Sequence, residues 1–117
     1  DAGIAPVHEY LRAATGAGVW LKGVLLDSFR KGQYGGTGKT ANWDEAAKYS
    51  TPEEDLVLPQ LLLAGGLTPE NVAAAVQTVR PYGVDTSGGV ERRPGEKSPE
   101  KIKAFAQNAL TALHRIS

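Results

Sequence analysis

The sequence predicts an α/β fold in which parallel strands alternate with helices. Three observations carry that prediction. Apolar stretches of strand length at 19–27, 61–64 and 82–85 are separated by stretches with helical periodicity, giving the order α-β-α-β-α-β-α. The first two, "VWLKGVLLD" and "LLLA", are apolar at consecutive positions, as in strands buried on both faces of a parallel sheet. Each strand also runs into a glycine-bearing loop at its carboxyl end, the end at which α/β proteins bind ligands. Such an order implies right-handed βαβ units.

Behind Pro6, the residues Val7, Tyr10, Leu11 and Ala14 share one face of a helix over 6–15, which Gly16 and Gly18 end. Strand 19–27 is followed by a long glycine-rich loop, "SFRKGQYGGTGKTA", over 28–41. Asn42 with Glu45 makes a capping box for a short helix through Tyr49. A connector over 51–59 leads to strand 61–64. Thr68 offers an N-cap oxygen, Pro69 a preset φ and Glu70 a charge that suits the dipole, for a helix over 68–79 with Val72, Val76 and Val79 on one face. Strand 82–85 and a polar loop, 86–97, complete the third unit. Ser98 caps the last helix ahead of Pro99, and Ile102, Phe105, Ala106, Ala109, Leu110, Leu113 and Ile116 form its apolar stripe. Three strands are too few to close a barrel, and both faces of the sheet need cover, so further units or further copies of the chain are expected.

Thirteen basic residues balance thirteen acidic ones, which removes any global field favouring nucleic acid or an anionic membrane. No apolar run approaches the roughly 18 residues of a membrane helix, and the N-terminus has no signal-peptide pattern. Cysteine is absent, so neither a disulfide framework nor a thiolate metal site is available, which fits a cytoplasmic location. Methionine is absent too, and Asp1 is expected to be a processed, cleaved or partial start.

"GGTGKT" at 35–40 invites a phosphate-binding P-loop reading, but the first glycine of that motif falls on Gln33, and Gly32 is one residue early. The loop, with Gly32, Gly35, Gly36 and Gly38, reads instead as a mobile lid that closes over a substrate. Asp27 closes an apolar strand. It either caps the following turn or serves as an acid or base at the mouth of a barrel, and Asp85 has the same placement and the same two readings. Gly65–Gly66 and Gly88–Gly89 follow consecutive strands. They can be two tight turns, but two such pairs on adjacent loops can also converge N–H groups on one anion, which is the favoured expectation. No arginine pair stands in those loops before Arg92. His8 and His114 are expected to be exposed or capping rather than catalytic, and Trp20 and Trp43 to be packing residues. No metal-ligand spacing exists, and neither metal nor cofactor is expected.

Taken together, "VLLD", "GGTGKTANW", "LAGGLTPENV" and "GVDTSGGVE" followed by "PGEKSPEKI", in this order and at these separations, closely resemble the C-terminal part of the phosphoribosylanthranilate isomerases of tryptophan biosynthesis. The resemblance covers roughly residues 22–110. It implies a (β/α)₈ TIM barrel whose sixth, seventh and eighth strands are those of this chain. Residues 1–117 are then a partial domain, and its partner is the preceding part of the barrel. The implied reaction is an Amadori rearrangement of an anthranilate aminal of ribose 5-phosphate. By the resemblance Asp27 matches the general acid, Asp85 an aspartate lining the substrate pocket, and Gly65, Gly66, Gly88 and Gly89 the phosphate-binding amides. The family's base is a cysteine on the first strand, and this chain has none. Ala41 and Asn42 stand where Phe and Asp are frequent, and Gly88 where Ser is common. Rival readings are another phosphate-binding barrel, such as indole-glycerol-phosphate synthase or a histidine-pathway isomerase, against which "GGTGKTANW" argues, and a non-catalytic phosphate-binding module.

Overall fold

Leu61 and Leu63 alternate with Leu62 along one strand, and the alternation decides which side of the sheet carries the core. In the computed structural model, which describes residues 3–28, 42–52 and 56–117, Leu61 and Leu63 are buried while Leu62 is 39% exposed. The sheet has three parallel strands in the order β1 (Gly23–Asp27), β2 (Gln60–Ala64) and β3 (Gly83–Val84). β1 and β2 pair in register from Gly23 opposite Gln60 to Asp27 opposite Ala64, and Leu62 lies opposite Gly83. The helices are α1 (Ala5–Gly16), α2 (Trp43–Ala47), α3 (Val72–Val79) and α4 (Pro99–Ile116). All four contribute to the core on one face of the sheet. Leu11 of α1, Ala46 of α2 and Ala75 and Val79 of α3 meet Leu61 and Leu63, with Phe105 of α4 against them. Val72 and Val76 then pack on Ala109 and Ala112, joining α3 to α4. Burying a leucine such as Leu63 completely contributes about 1.5–3 kcal/mol.

The opposite face carries Leu25, 59% exposed, and Leu62. The expectation that both strands are buried on both faces is therefore corrected. β1 alternates exposed and half-buried residues, because among the described residues every helix lies on the other side. β1 is also shorter than 19–27. Gly18, at φ +81°, ends α1 in a left-handed turn, and Val19 N–H still donates to the Ala14 carbonyl at 2.8 Å. Pairing with β2 begins only at Gly23. Trp20, expected to pack, is 70% exposed in this connector, whereas Trp43 is half-buried against the core.

Other local expectations are met in part. Asn42 Oδ1 accepts from Glu45 N–H at 3.3 Å, but the reciprocal half of the capping box is replaced. Glu45 Oε2 accepts from Ile4 N–H at 2.8 Å and so ties the start of α1 to α2. α3 is regular only from Val72, since residues 69–71 form a turn whose first acceptor is Thr68. Ser98 Oγ caps α4 by accepting from Lys101 N–H. The last helix buries only part of its predicted stripe: Ala109 is buried, as is Ala112 outside the stripe, while Ile102 and Leu110 are 45% and 66% exposed. The segment 86–97 is not merely a loop. A 3₁₀ turn (Gly88–Val90) precedes an antiparallel hairpin of β4 (Glu91–Arg93) and β5 (Glu96–Lys97), turned by Pro94 and by Gly95 at φ +82°.

Candidate active site

Strand register gathers the candidate residues. Asp27 ends β1 opposite Ala64, and one step beyond the β2–β3 pairing Ala64 stands beside Asp85. Registered residues of parallel strands point to the same face. The two aspartates thus flank Ala64 on the helix-free face, their Cα atoms about 10 Å apart at two strand spacings. A backbone bond from Asp85 N–H to the Leu63 carbonyl, 2.9 Å, fixes the second of them. Ser28, buried next to Asp27, locks the end of β1. Its N–H and its Oγ both donate to the Ala64 carbonyl, at 2.8 and 3.1 Å.

Beyond the strand ends the two glycine loops converge. Gly65 and Gly66 have φ +103° and +68°, so the chain leaves β2 through two left-handed residues that a Cβ disfavours. Asn71 organises this turn: its Nδ2 donates to the Gly66 carbonyl at 2.9 Å and its Oδ1 accepts from Thr68 N–H at 2.8 Å. Asn71 N–H donates in turn to Thr68 Oγ1. The loop after β3 is tied to the first through Leu67. Thr86 Oγ1 donates to the Leu67 carbonyl at 2.7 Å, and a Cβ on Gly89 would drive into that same oxygen. Among the described residues the Gly88 and Gly89 N–H groups have no acceptor.

These elements enclose one open cleft of about 520 Å³. Its lining comes from the end of β1 at Asp27, from Ala64, Gly65, Gly66 and Thr68 after β2, and from Asp85 through Gly89 after β3. Asp27, Asp85, Gly65, Gly66, Gly88 and Gly89, the residues expected from the sequence to meet a substrate, all line this cleft. The lid glycines Gly32, Gly35, Gly36 and Gly38 lie outside the described residues. No cluster of three potential metal-ligating side chains occurs among the described residues. The arrangement suits a small molecule that presents exchangeable protons to the carboxylates and an anion to the amides.

Lys97 escaped the sequence reading. Its Nζ donates to the Ser87 carbonyl at 2.9 Å and to Ser87 Oγ at 3.2 Å, and pairs with Glu91 Oε2 at 2.9 Å. The Lys97 hydrogen bond holds the Glu91 carboxyl below its ordinary value. The available signal was "RPGE", a Pro-Gly turn that folds Lys97 back across from Glu91. The nearby arginines do not enter the cleft: Arg92 and Arg93 face Glu96 at 3.0 and 3.5 Å. His8 corrects another expectation. It is buried rather than exposed or capping, with Nε2 2.9 Å from the Tyr49 carbonyl and its ring 5.9 Å from that of Tyr49. Burial pushes the Tyr49 phenol up, while its hydroxyl donates to the Pro59 carbonyl at 2.8 Å.

Residues 7–108 match the family model described as N-(5'phosphoribosyl)anthranilate (PRA) isomerase. The chain belongs to the PRA isomerase family. Curated relatives named N-(5'-phosphoribosyl)anthranilate isomerase include one from Trichlorobacter lovleyi, 48% identical over 80% of this chain and 43% of its own length. Another, from Cellvibrio japonicus, is 48% identical over 93% of this chain and 44% of its own. The chain thus spans less than half the length of these PRA isomerases. The crystal structure of the Thermotoga maritima enzyme superposes with a TM-score of 0.61 at 39% identity, covering 86% of this chain and 44% of that one. The Thermococcus kodakaraensis enzyme gives 0.61 at 34% identity, covering 92% and 46%. These neighbours and the parallel α/β architecture fit a TIM-barrel-type fold. Among the described residues no helix is long and apolar enough to cross a membrane.

Proposed function

We propose that this chain is the C-terminal part of a (β/α)₈ PRA isomerase barrel, carrying strands six to eight, and that it supplies the general acid and the phosphate cradle for the Amadori rearrangement of N-(5'-phosphoribosyl)anthranilate. The observation that carries this reading is the single cleft at the carboxyl ends of the strands, where Asp27, Asp85 and both glycine pairs meet. A PRA isomerase 35% identical to this chain has been solved with reduced 1-(O-carboxyphenylamino)-1-deoxyribulose 5-phosphate, a ligand with a phosphate at one end. The open edge of β1 and the exposed Leu25, Leu62, Ile102 and Leu110 support a partner that completes the sheet and covers these side chains.

In this reading Asp27 donates a proton to the ribose ring oxygen as the C1–O bond breaks, leaving an iminium between C1 and the anthranilate nitrogen. Removal of the C2 proton then gives the enol, which tautomerises to the open-chain amino-ketone. By the family resemblance the base of the second step is a cysteine of the first strand, a residue this chain lacks. Asp85 lines the pocket two strands away. The phosphate rests on the amides around Gly65, Gly66, Gly88 and Gly89, with Lys97 fixing Ser87 behind them.

The test is reconstitution. Mixed with the first five βα units of a related PRA isomerase, the chain should form a one-to-one complex that melts cooperatively and turns over the substrate. Asp27→Asn keeps the shape and removes the transferable proton. It should lower kcat by about 10² with little change in affinity for ribose 5-phosphate. Turnover by the 117-residue chain alone, or near-normal kcat in the Asp27→Asn complex, would overturn the reading.

A further inference from the structure

The two amide loops of the cleft leave different strands, β2 and β3, whose pairing is short. β3 contributes only Gly83 and Val84 to the ladder, and the bond from Asp85 N–H to Leu63 is followed directly by Thr86. From there the two loops meet at the Leu67 carbonyl oxygen. Thr86 Oγ1 donates to it at 2.7 Å, and Gly89 packs so closely on it that a Cβ there would also lie 2.7 Å from Thr86 Oγ1. Leu67 itself is immobilised, its side chain 1% exposed in the core.

We infer that Thr86 is a positioning residue: its hydroxyl, anchored on the Leu67 carbonyl, sets the spacing between the two amide loops so that both reach one phosphate. The inference rests on the phosphate-site reading above. Thr86 lines the cleft, yet its chemistry rules out a direct role as a donor. A hydroxyl has one proton, and a carbonyl can only accept, so that proton is committed to Leu67 and only lone pairs face an incoming anion. N–H···O hydrogen bonds span only about 2.7–3.2 Å and weaken steeply when the N–H is misaimed. An anion shared by two loops is therefore sensitive to a small relative shift of either one.

Threonine and valine have nearly the same shape, so Thr86→Val in the reconstituted barrel isolates the hydroxyl. It should raise KM and weaken the inhibition by ribose 5-phosphate, each about tenfold, the scale of one net hydrogen bond. kcat should change less than threefold. Thr86→Ser, which keeps the donor, should restore both constants. Thr86→Ala removes the donor with less bulk and decides the matter if the valine variant does not fold. If the wild-type complex prefers ribose 5-phosphate to ribose but Thr86→Val and Thr86→Ala leave that preference intact, the inference about Thr86 is wrong and the phosphate reading stands. Equal losses in the serine and valine variants would assign the effect to shape and overturn the inference. If the wild-type complex binds ribose as well as ribose 5-phosphate, the phosphate reading falls and the role of Thr86 falls with it.

Discussion

The dipeptide Gly-Gly occurs after β2 and again after β3, and the two copies are there for different reasons. Gly65 and Gly66 both sit at positive φ, so glycine is required by the path of the chain. Neither Gly88 nor Gly89 is in that region. Gly89 is required by contact, because the Leu67 carbonyl occupies the place of a side chain, while a Cβ on Gly88 would meet nothing within 4 Å. The first turn is braced by a neutral amide, Asn71, and the second by an ion pair, Lys97 with Glu91. One motif thus stands for a conformational need, a steric need and open space, and only the packed structure separates them.

The largest effect that separates them belongs to Gly89→Ala. The new methyl must push the second loop away from Leu67, disrupting the Thr86 bond and the amide spacing together. We expect about 3 kcal/mol of destabilisation by denaturant melts and loss of ribose 5-phosphate inhibition. A variant that melts and binds as wild type would show that the close approach at Leu67 is not what holds the loops. Gly65→Ala and Gly66→Ala come next, at about 1–2 kcal/mol each for forcing an L residue into the left-handed region. Gly88→Ala should stay within about 0.5 kcal/mol of wild type, with a stabilising part from the stiffer unfolded chain. If Gly88→Ala costs as much as Gly89→Ala, the distinction drawn within the second pair fails.

The contrast also marks how far the sequence could be read. The order of elements was legible because apolar periodicity and caps are local: Ser98 caps α4, Asn42 accepts from Glu45, and Asp27 ends its strand. The meeting of Asp27, Asp85 and four glycines in one cleft followed from parallel topology, which places every strand's carboxyl end on the same side. What stayed hidden depends on distant partners. Leu62 and Leu63 are the same residue type, and only the location of the helices exposes one and buries the other. Glu45 leaves its expected capping partner because Ile4, 41 residues away, offers a free N–H. His8 reads as a surface residue on its helix until Tyr49 closes over it. The ties from Thr86 to Leu67 and from Lys97 to Ser87 span 19 and 10 residues, and no local pattern announces them.

The smallest effect distinguishes the braces by pH. Lys97 lowers the Glu91 carboxyl below its usual 4.5, so the folded state favours the ionised form. A group whose folded pKa is depressed contributes stability above its unfolded value, and that contribution is lost as pH falls through the folded one. The Glu91–Lys97 brace is therefore intact from pH 4.5 upward and released in the acid range below. Asn71 does not titrate, so the brace of the first loop has no such dependence. An acid titration followed by amide NMR should move Ser87 and Gly88 as Glu91 protonates, and Glu91→Gln should leave the response of Gly65 and Gly66 as it is in the wild type. The pair is exposed at the Lys97 end, so added salt should weaken the brace as well. Glu91→Gln removes the charge and should abolish the acid-range movement at Ser87, leaving the Lys97 bonds to Ser87 in place. If Glu91→Gln changes the acid response of Gly65 and Gly66 as it changes that of Ser87, the two loops respond as one unit, and the separate bracing of the glycine pairs is wrong.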